Sequence, residues 1–283
     1  MTTIELAGNG VRLAADAAGD STNPACLLVH GGGQTRHSWH NTATTLAEAG
    51  WYAVALDLRG HGDSDWSPDG AYTLNVFAAD LIEVCRQLAR PVLIGASLGG
   101  TSSLAALGLT ASAPCGRALV MVDVAPHIET AGADRILNFM RAHLETGFAT
   151  LDEVADAVHA YNPHRPRPTD LSGLRKNVRQ GADGRWYWHW DPRFMSLTPR
   201  DDESRTRAHR TDQLVAAAKS LTVPTLLVRG RQSDLLSEQG AQEFLAMVPH
   251  ARFVDVGGAG HMVAGDRNDA FSDAVVDFLS QLG

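Results

Sequence analysis

The sequence has few of the features of a secreted or membrane-bound protein. It contains three cysteines, an odd number without metal-ligand spacing, which argues against a disulfide framework and favours a reducing compartment. No apolar run approaches the ~20 residues that a membrane-spanning helix needs. The first residues lack a basic segment followed by an apolar core, so they predict no signal peptide. We therefore expect a cytoplasmic protein that does not bind a membrane.

Two further absences narrow the class of partner. Acidic residues outnumber basic ones, 32 to 24, and the net charge of −8 argues against nucleic acid as a partner. The sequence contains neither glycine-rich phosphate-binding motif, so no nucleotide cofactor is indicated. His37 and His40 could share a metal, but no third ligand stands near them in the sequence. The expected partner is thus a small-molecule substrate, with no cofactor or metal.

What the sequence does contain is a repeated alternation of short apolar runs and helix-like segments. Continuous apolar strands of this kind predict an α/β fold with a mostly parallel, doubly wound sheet that helices cover on both faces. The chain begins with an alternating pattern around Gly8-Asn9-Gly10, which predicts a hairpin. The predicted later strands are Ala25–Val29, Tyr52–Leu56, Pro91–Ile94, Ala118–Val122, Pro224–Val228 and Arg252–Val256.

The alternation breaks between residues 125 and 218. This stretch has helical segments and a proline-rich connector, but no convincing run of buried strands. We therefore divide the chain into a first part of the sheet domain (1–124), a helical cap insertion (125–218) and a second part of the sheet domain (219–283).

The strongest chemical motif is Gly95-Ala96-Ser97-Leu98-Gly99, where a predicted strand passes into a predicted helix. A serine on so sharp a turn needs small neighbours two residues before and after it, and it projects its hydroxyl above the sheet edge. A G-x-S-x-G pentapeptide alone can be a simple glycine turn. Here the strand before it and the helix after it favour a nucleophile, Ser97.

A serine nucleophile needs a base and an acid that orients the base. His261 is the candidate base, because it follows a glycine-rich loop at the carboxyl end of the last predicted strand. Asp234 follows the preceding strand and is our choice of acid, in the chain order Ser, Asp, His. Asp123, which ends the strand after the nucleophile helix, is the alternative.

The oxyanion of an acyl-transfer reaction needs two hydrogen-bond donors. The amide of Leu98 is one candidate, and the loop His30-Gly31-Gly32-Gly33 should supply the other. Gly32 is our choice for the second amide, and Gly33 the alternative. Gly33, Trp39 and Trp188 are candidate residues of the substrate pocket; for the tryptophans, packing between cap and core is the competing interpretation.

These motifs together resemble the α/β-hydrolase superfamily, in its cap-bearing branch of esterases, carbon–carbon bond hydrolases, cofactor-free haloperoxidases and epoxide hydrolases. The segments that carry the resemblance are residues 30–39, 57–64, 95–100, 230–234 and 260–261. One departure matters. Epoxide hydrolases use an aspartate nucleophile to form an alkyl ester, whereas this sequence has Ser97, which implies acyl transfer.

The sequence therefore predicts a serine hydrolase that cleaves a small carboxylic ester or lactone through an acyl-enzyme on Ser97. Two alternatives remain. The same triad could cleave a carbon–carbon bond or form peracids, or the protein could be a small-molecule sensor with slow turnover. The sequence carries no information on which substrate is bound or on the oligomeric state.

Overall fold

A central β-sheet organises the protein. The structure is a computed structural model that describes residues 1–109, 114–163, 165–195, 203–266 and 268–282. In this part of the chain the strands are β1 (Thr2–Ala7), β2 (Arg12–Ala18), β3 (Ala25–Val29), β4 (Tyr52–Leu56), β5 (Val92–Ala96), β6 (Ala118–Val122), β7 (Val178–Gln180), β8 (Trp186–Trp188), β9 (Thr225–Gly230) and β10 (Arg252–Val256).

The main sheet has eight strands in the order β1-β2-β4-β3-β5-β6-β9-β10. The β1–β2 and β2–β4 pairs are antiparallel, and all other neighbouring pairs are parallel. β1 and β2 form the predicted hairpin. The prediction of a mostly parallel α/β sheet is confirmed, and the carboxyl ends of β3, β5, β6, β9 and β10 share one edge, where sites of open α/β sheets lie.

Helices cover both faces of this sheet. The helices are α1 (His40–Glu48), α2 (Leu74–Gln87), α3 (Leu98–Gly108), α4 (Thr130–Arg141), α5 (Leu151–Tyr161), α6 (Glu203–Lys219), α7 (Glu238–Met247), α8 (Val263–Asp266) and α9 (Asn268–Ser280). Short 3-10 turns at Arg36–Trp39, Ser172–Asn177 and Pro192–Met195 complete the elements. No helix in the described residues has the length and apolar character needed to cross a membrane.

The central strands β3, β4, β5 and β6 are apolar because each of them supplies two cores. In β3, Leu27 and Val29 join the core that α2, α3, α6 and α7 cover. Their neighbours Cys26 and Leu28 point the other way, into the core under α1 and α9. Successive side chains of a strand alternate between faces, so a strand buried on both sides has no polar positions.

The segment between β6 and β9 builds most of its structure above the sheet. α4, α5 and the antiparallel β7–β8 ribbon share a separate apolar cluster that includes Met140, Phe148 and Trp188. The last helix of the segment, α6, instead packs on α3, and Leu214 and Ala217 lie in the core of the sheet domain. We therefore propose that the cap proper ends before α6, within the insertion that the sequence placed at residues 125–218.

A buried ion pair ties α2 to the loop after β4. Arg59 donates from Nε and Nη2 to the two carboxylate oxygens of Asp80, each at 2.6 Å, and both side chains are almost fully buried. Asp80 also accepts from the amide of Asn9 at 2.8 Å. Removing one charge of a buried pair leaves the other charge without compensation.

We expect Asp80→Asn to lower the free energy of unfolding by about 3 kcal/mol, because Arg59 would remain buried and uncompensated. Urea denaturation followed by circular dichroism measures the change. Glu83→Gln is the matched control on the same helix, since Glu83 makes an exposed pair with Arg86 at 2.6 Å and should cost less than about 1 kcal/mol. Equal effects of the two variants would contradict this account.

Candidate active site

Ser97 lies in a sharp turn between β5 and α3. Its backbone has φ 48° and ψ −113°, a conformation that L-residues rarely adopt and that costs about 1–3 kcal/mol. Its amide donates to the carbonyl of Val122 in β6 at 3.3 Å, which fixes the turn to the neighbouring strand. The side chain therefore stands at the carboxyl edge of the sheet, at the start of a helix, as the motif predicts.

The two glycines of the motif are required by close backbone contacts. A Cβ on Gly95 would lie 2.5 Å from the carbonyl carbon of Gly99. A Cβ on Gly99 would lie 2.3 Å from the carbonyl oxygen of Val29, at the end of β3. Any side chain at either position would push α3 away from the sheet, so the turn can hold Ser97 in place only with glycine on both sides.

His261 lies in the loop between β10 and α8 and is oriented by a buried carboxylate. Its Nδ1 donates to Oδ2 of Asp123 at 2.7 Å. Asp123 is fully buried and accepts two further hydrogen bonds, from Ser233 Oγ at 2.5 Å and from the amide of Gly230 at 2.9 Å. With Nδ1 engaged as a donor, Nε2 of His261 is left as the basic nitrogen of the ring.

The choice of Asp234 as the partner of His261 is corrected by this geometry. The Asp234 carboxylate is 43% exposed and forms an ion pair with Arg135 of α4 at 2.7 Å. The residue of this loop that faces the site is its neighbour Ser233, whose hydroxyl bonds Asp123. Asp123, the alternative in the sequence analysis, is the acid that contacts the histidine.

The glycine loop after β3 leaves one amide available. The amide of Gly31 donates to Oε1 of Gln34 at 3.0 Å, and that of Gly33 donates to Nε2 of His61 at 3.2 Å. The amide of Gly32, between them, has no hydrogen-bond partner among the described residues. This pattern favours Gly32 over Gly33 as the second oxyanion donor, beside the amide of Leu98 at the start of α3.

A cavity of about 430 Å³ joins these groups, and its lining includes Ser97 and His261. Gly33, Trp39 and Trp188 line it as well, and Trp188 stacks on Trp190, which also reaches the cavity, with ring centroids 4.9 Å apart. Trp188 therefore fits both interpretations, because it packs in the apolar cluster of the cap and also lines the cavity, whereas Trp39 packs on Phe271 of α9 in the core of the sheet domain. A volume of this size suits a small molecule.

Some residues of the cavity were not found from the sequence. Gln34 holds the glycine loop, and Arg165 and Lys176 bring positive charge to the lining. Arg165 lies in the proline-rich connector and Lys176 in a 3-10 turn of the cap. Neither stands in a recognisable motif, so only the packing of the cap on the core brings them to the site.

Comparison with known proteins agrees with the fold. Residues 26–274 match the family model described as "Alpha/beta hydrolase family". The chain belongs to the alpha/beta hydrolase family. The hydrolase is 32% identical to an esterase of Mycobacterium tuberculosis over 264 residues, which cover 89% of this chain and 81% of that protein.

Two further relatives extend the comparison. A 3-hydroxybutyrate-oligomer hydrolase of Cupriavidus necator is 27% identical over 88% of this chain and 87% of its own length. The crystal structure of an E-2-(acetamidomethylene)succinate hydrolase superposes with a TM-score of 0.80, covering 99% of both chains at 24% identity. The last likeness shows the fold alone.

Three buried histidines support the glycine loop of the hydrolase. Each ring accepts from one backbone amide and donates to one backbone carbonyl. His30 accepts from Leu58 at 3.0 Å and donates to Gly31 at 2.7 Å. His61 accepts from Gly33 and donates to Arg59 at 3.0 Å. His189, on the cap, accepts from Gly62 at 2.8 Å and donates to Gly33 at 3.2 Å.

These hydrogen bonds require neutral rings with fixed tautomers, and the surroundings favour that state. Burial lowers the pKa of His30 to about 4 and the pKa of His61 to about 3. Burial also lowers the pKa of His189 well below its ordinary value, and the nearby His61 adds to this. A proton on any of the three would remove an acceptor from a backbone amide of the loops around the site.

We expect the free energy of unfolding to fall as the pH is lowered from about 6.5 towards 4. In this window the unfolded chain binds protons on these histidines and the folded protein does not, so stability is lost at up to about 1.4 kcal/mol per pH unit for each. Urea denaturation at a series of pH values measures the slope.

The variant His189→Asn separates the contribution of a buried histidine to this pH dependence from the contribution of the carboxylates. Asparagine keeps an acceptor for the Gly62 amide but does not titrate, so the slope should become shallower by about 1.4 kcal/mol per pH unit. His209→Asn, at an exposed position of α6, is the control and should leave the slope unchanged. The same slope in the His189 variant as in the unmodified protein would refute the assignment.

Proposed function

We propose that the protein is a serine hydrolase that cleaves a small-molecule carboxylic ester or lactone through an acyl-enzyme on Ser97. The observation that carries the proposal is the Asp123–His261 hydrogen bond of 2.7 Å at a cavity that Ser97 also lines. A nucleophile, an oriented base and its acid then meet at one small-molecule site, which is the arrangement that acyl transfer requires.

The proposed reaction has two halves. Nε2 of His261 takes the proton of the Ser97 hydroxyl, and the serine oxygen attacks the carbonyl carbon of the substrate. Asp123 keeps the ring in the correct tautomer and stabilises its charged form. The amides of Leu98 and Gly32 bind the oxyanion, and the alcohol leaves with the proton from His261. Water then repeats the sequence on the acyl-enzyme and releases the acid.

Two points favour this reaction within the family. The relatives are named as an esterase and as a hydrolase of 3-hydroxybutyrate oligomers. The nucleophile is serine, which forms an ester with an acyl group, whereas an aspartate at this position would form the alkyl ester used by epoxide hydrolases. Together they favour an ester or lactone over an epoxide as substrate.

We expect Ser97→Ala and Asp123→Asn each to lower kcat by roughly a thousandfold or more, because the members of a triad act as a unit. Asp234→Asn is the matched control: it removes only an exposed ion pair and should leave kcat within about twofold. Hydrolysis of p-nitrophenyl esters of increasing acyl length, followed by absorbance, measures all three.

Circular dichroism of each variant would separate loss of activity from loss of fold. Two outcomes would contradict the proposal. If the Ser97 variant is as active as the unmodified protein, Ser97 is not the nucleophile. If the Asp123 and Asp234 variants lose activity equally, Asp123 is not the specific acid partner of His261.

A further inference from the structure

The charged side chains that line the cavity are unusual for so acidic a protein. Acidic residues outnumber basic ones by 32 to 24 in the whole sequence. Among the described residues that line the cavity, however, none is an aspartate or glutamate, while Arg165 and Lys176 both line it. The remaining polar groups of the lining are neutral side chains and histidines. The local charge is therefore opposite in sign to that of the protein as a whole.

Lys176 is an exposed side chain at the end of a 3-10 turn in the cap, Ser172–Asn177. It forms no ion pair with any residue that the structure describes. Burial lowers the pKa of His37, another residue of the lining, and the charges of Arg36 and Lys176 add to this effect. An ammonium group here is available to an anion in the cavity.

Arg165 approaches the cavity from the loop after α5. Its Nη2 would lie 2.7 Å from a Cβ on Gly265, so the guanidinium group lies against the backbone just after the His261 loop. Its own backbone is held on both sides: its amide donates to Asn162 at 3.0 Å and its carbonyl accepts from His159 at 3.0 Å. The arginine thus brings its charge to the junction of cap and core, close to the catalytic loop.

Two carboxylates close to the cavity, Asp123 and Asp16, are held by other groups. Asp123 is buried behind His261, with its oxygens bonded to that ring, Ser233 and Gly230. Asp16 pairs with Arg36 at 3.1 Å and with His37 at 3.5 Å, and it does not line the cavity. Lys176 therefore offers a positive charge to a substrate that enters, and no aspartate or glutamate stands among the described residues of the lining.

We infer that the substrate carries a carboxylate besides the ester that is cleaved, and that Lys176 and Arg165 hold this carboxylate in the cavity. The inference rests on the proposed function, because it specifies the substrate class of the same site. Guanidinium and ammonium groups are the usual partners of carboxylates, and complementary charge also raises the rate of encounter. The apolar walls, which include Met140 and Trp188, would take the uncharged part.

Two pairs of esters test the inference, one for each half of the substrate. In 4-carboxyphenyl butyrate and 4-carbamoylphenyl butyrate the charge differs on the leaving alcohol. In monomethyl adipate and methyl hexanoate it differs on the acyl group. We expect kcat/KM to favour the charged member of at least one pair by roughly tenfold, and this preference to weaken with added salt.

Charge reversal at Lys176 tests whether this residue binds the carboxylate of the substrate. Lys176→Glu should lower the charged-to-neutral ratio of kcat/KM by roughly fivefold or more. Lys219→Glu is the matched control, because Lys219 is the other lysine of the sequence, is exposed on α6 and does not line the cavity. The control makes the same change in net charge and should leave the ratio unaltered.

The outcomes separate the inference from the proposed function. Serine-dependent hydrolysis without preference for either charged ester would overturn the inference and leave the proposed function standing. The same holds if Lys176→Glu and Lys219→Glu change the ratio equally, since the effect would then be one of net charge. If the folded protein cleaves none of the four esters, the proposed function fails and the inference with it.

Discussion

The close approach of α3 to the end of β3 is the constraint on which the rest of the site depends. A Cβ on Gly99 would come within 2.3 Å of the Val29 carbonyl, so the helix and the strand are in direct backbone contact. This contact sets Ser97 beside the glycine loop that follows β3. Ser97 and the glycine loop are neighbours because two backbones touch, and the strained conformation of Ser97 is held by the packed sheet around it.

The buried polar groups around the site are arranged as a continuous set. Asp123 takes three hydrogen bonds, and the three neutral histidines each bridge an amide and a carbonyl. Buried polar groups are tolerated when they are satisfied in this way, and they then fix the loops that carry them.

Much of the fold could be predicted from the sequence, because strands that are buried on both faces have continuous apolar sequences. Ala25–Val29, Tyr52–Leu56 and Ala118–Val122 were predicted with the bounds that the structure has. The sharp turn at Ser97 could be predicted for a similar reason, because the glycines of its motif meet a local steric requirement. Local patterns of this kind can be recognised in the sequence without knowledge of how the rest of the chain folds.

The acid could not be chosen in the same way. Asp123 and Asp234 both follow a strand at the same edge, and which of them meets His261 depends on how the loop after β9 turns. That turn is fixed by Ser233, which bonds Asp123, and by the pairing of Asp234 with Arg135 on the cap. The positions of Arg165 and Lys176 depend on the packing of the cap for the same reason. Contacts between distant segments leave no periodic signal in the sequence.

The hydrogen bonds of His189 bear on how such enzymes can diverge or be re-engineered. Caps are the obvious part to exchange between relatives, since they form much of the cavity wall. Here the cap also supplies the donor to the Gly33 carbonyl and the acceptor for the Gly62 amide. A transplanted cap that lacks a neutral donor–acceptor group at this position would alter the glycine loop after β3 together with the specificity. In a chimaera, the junctions between cap and sheet domain should therefore be chosen so that His189 is kept together with the Gly33 and Gly62 loops.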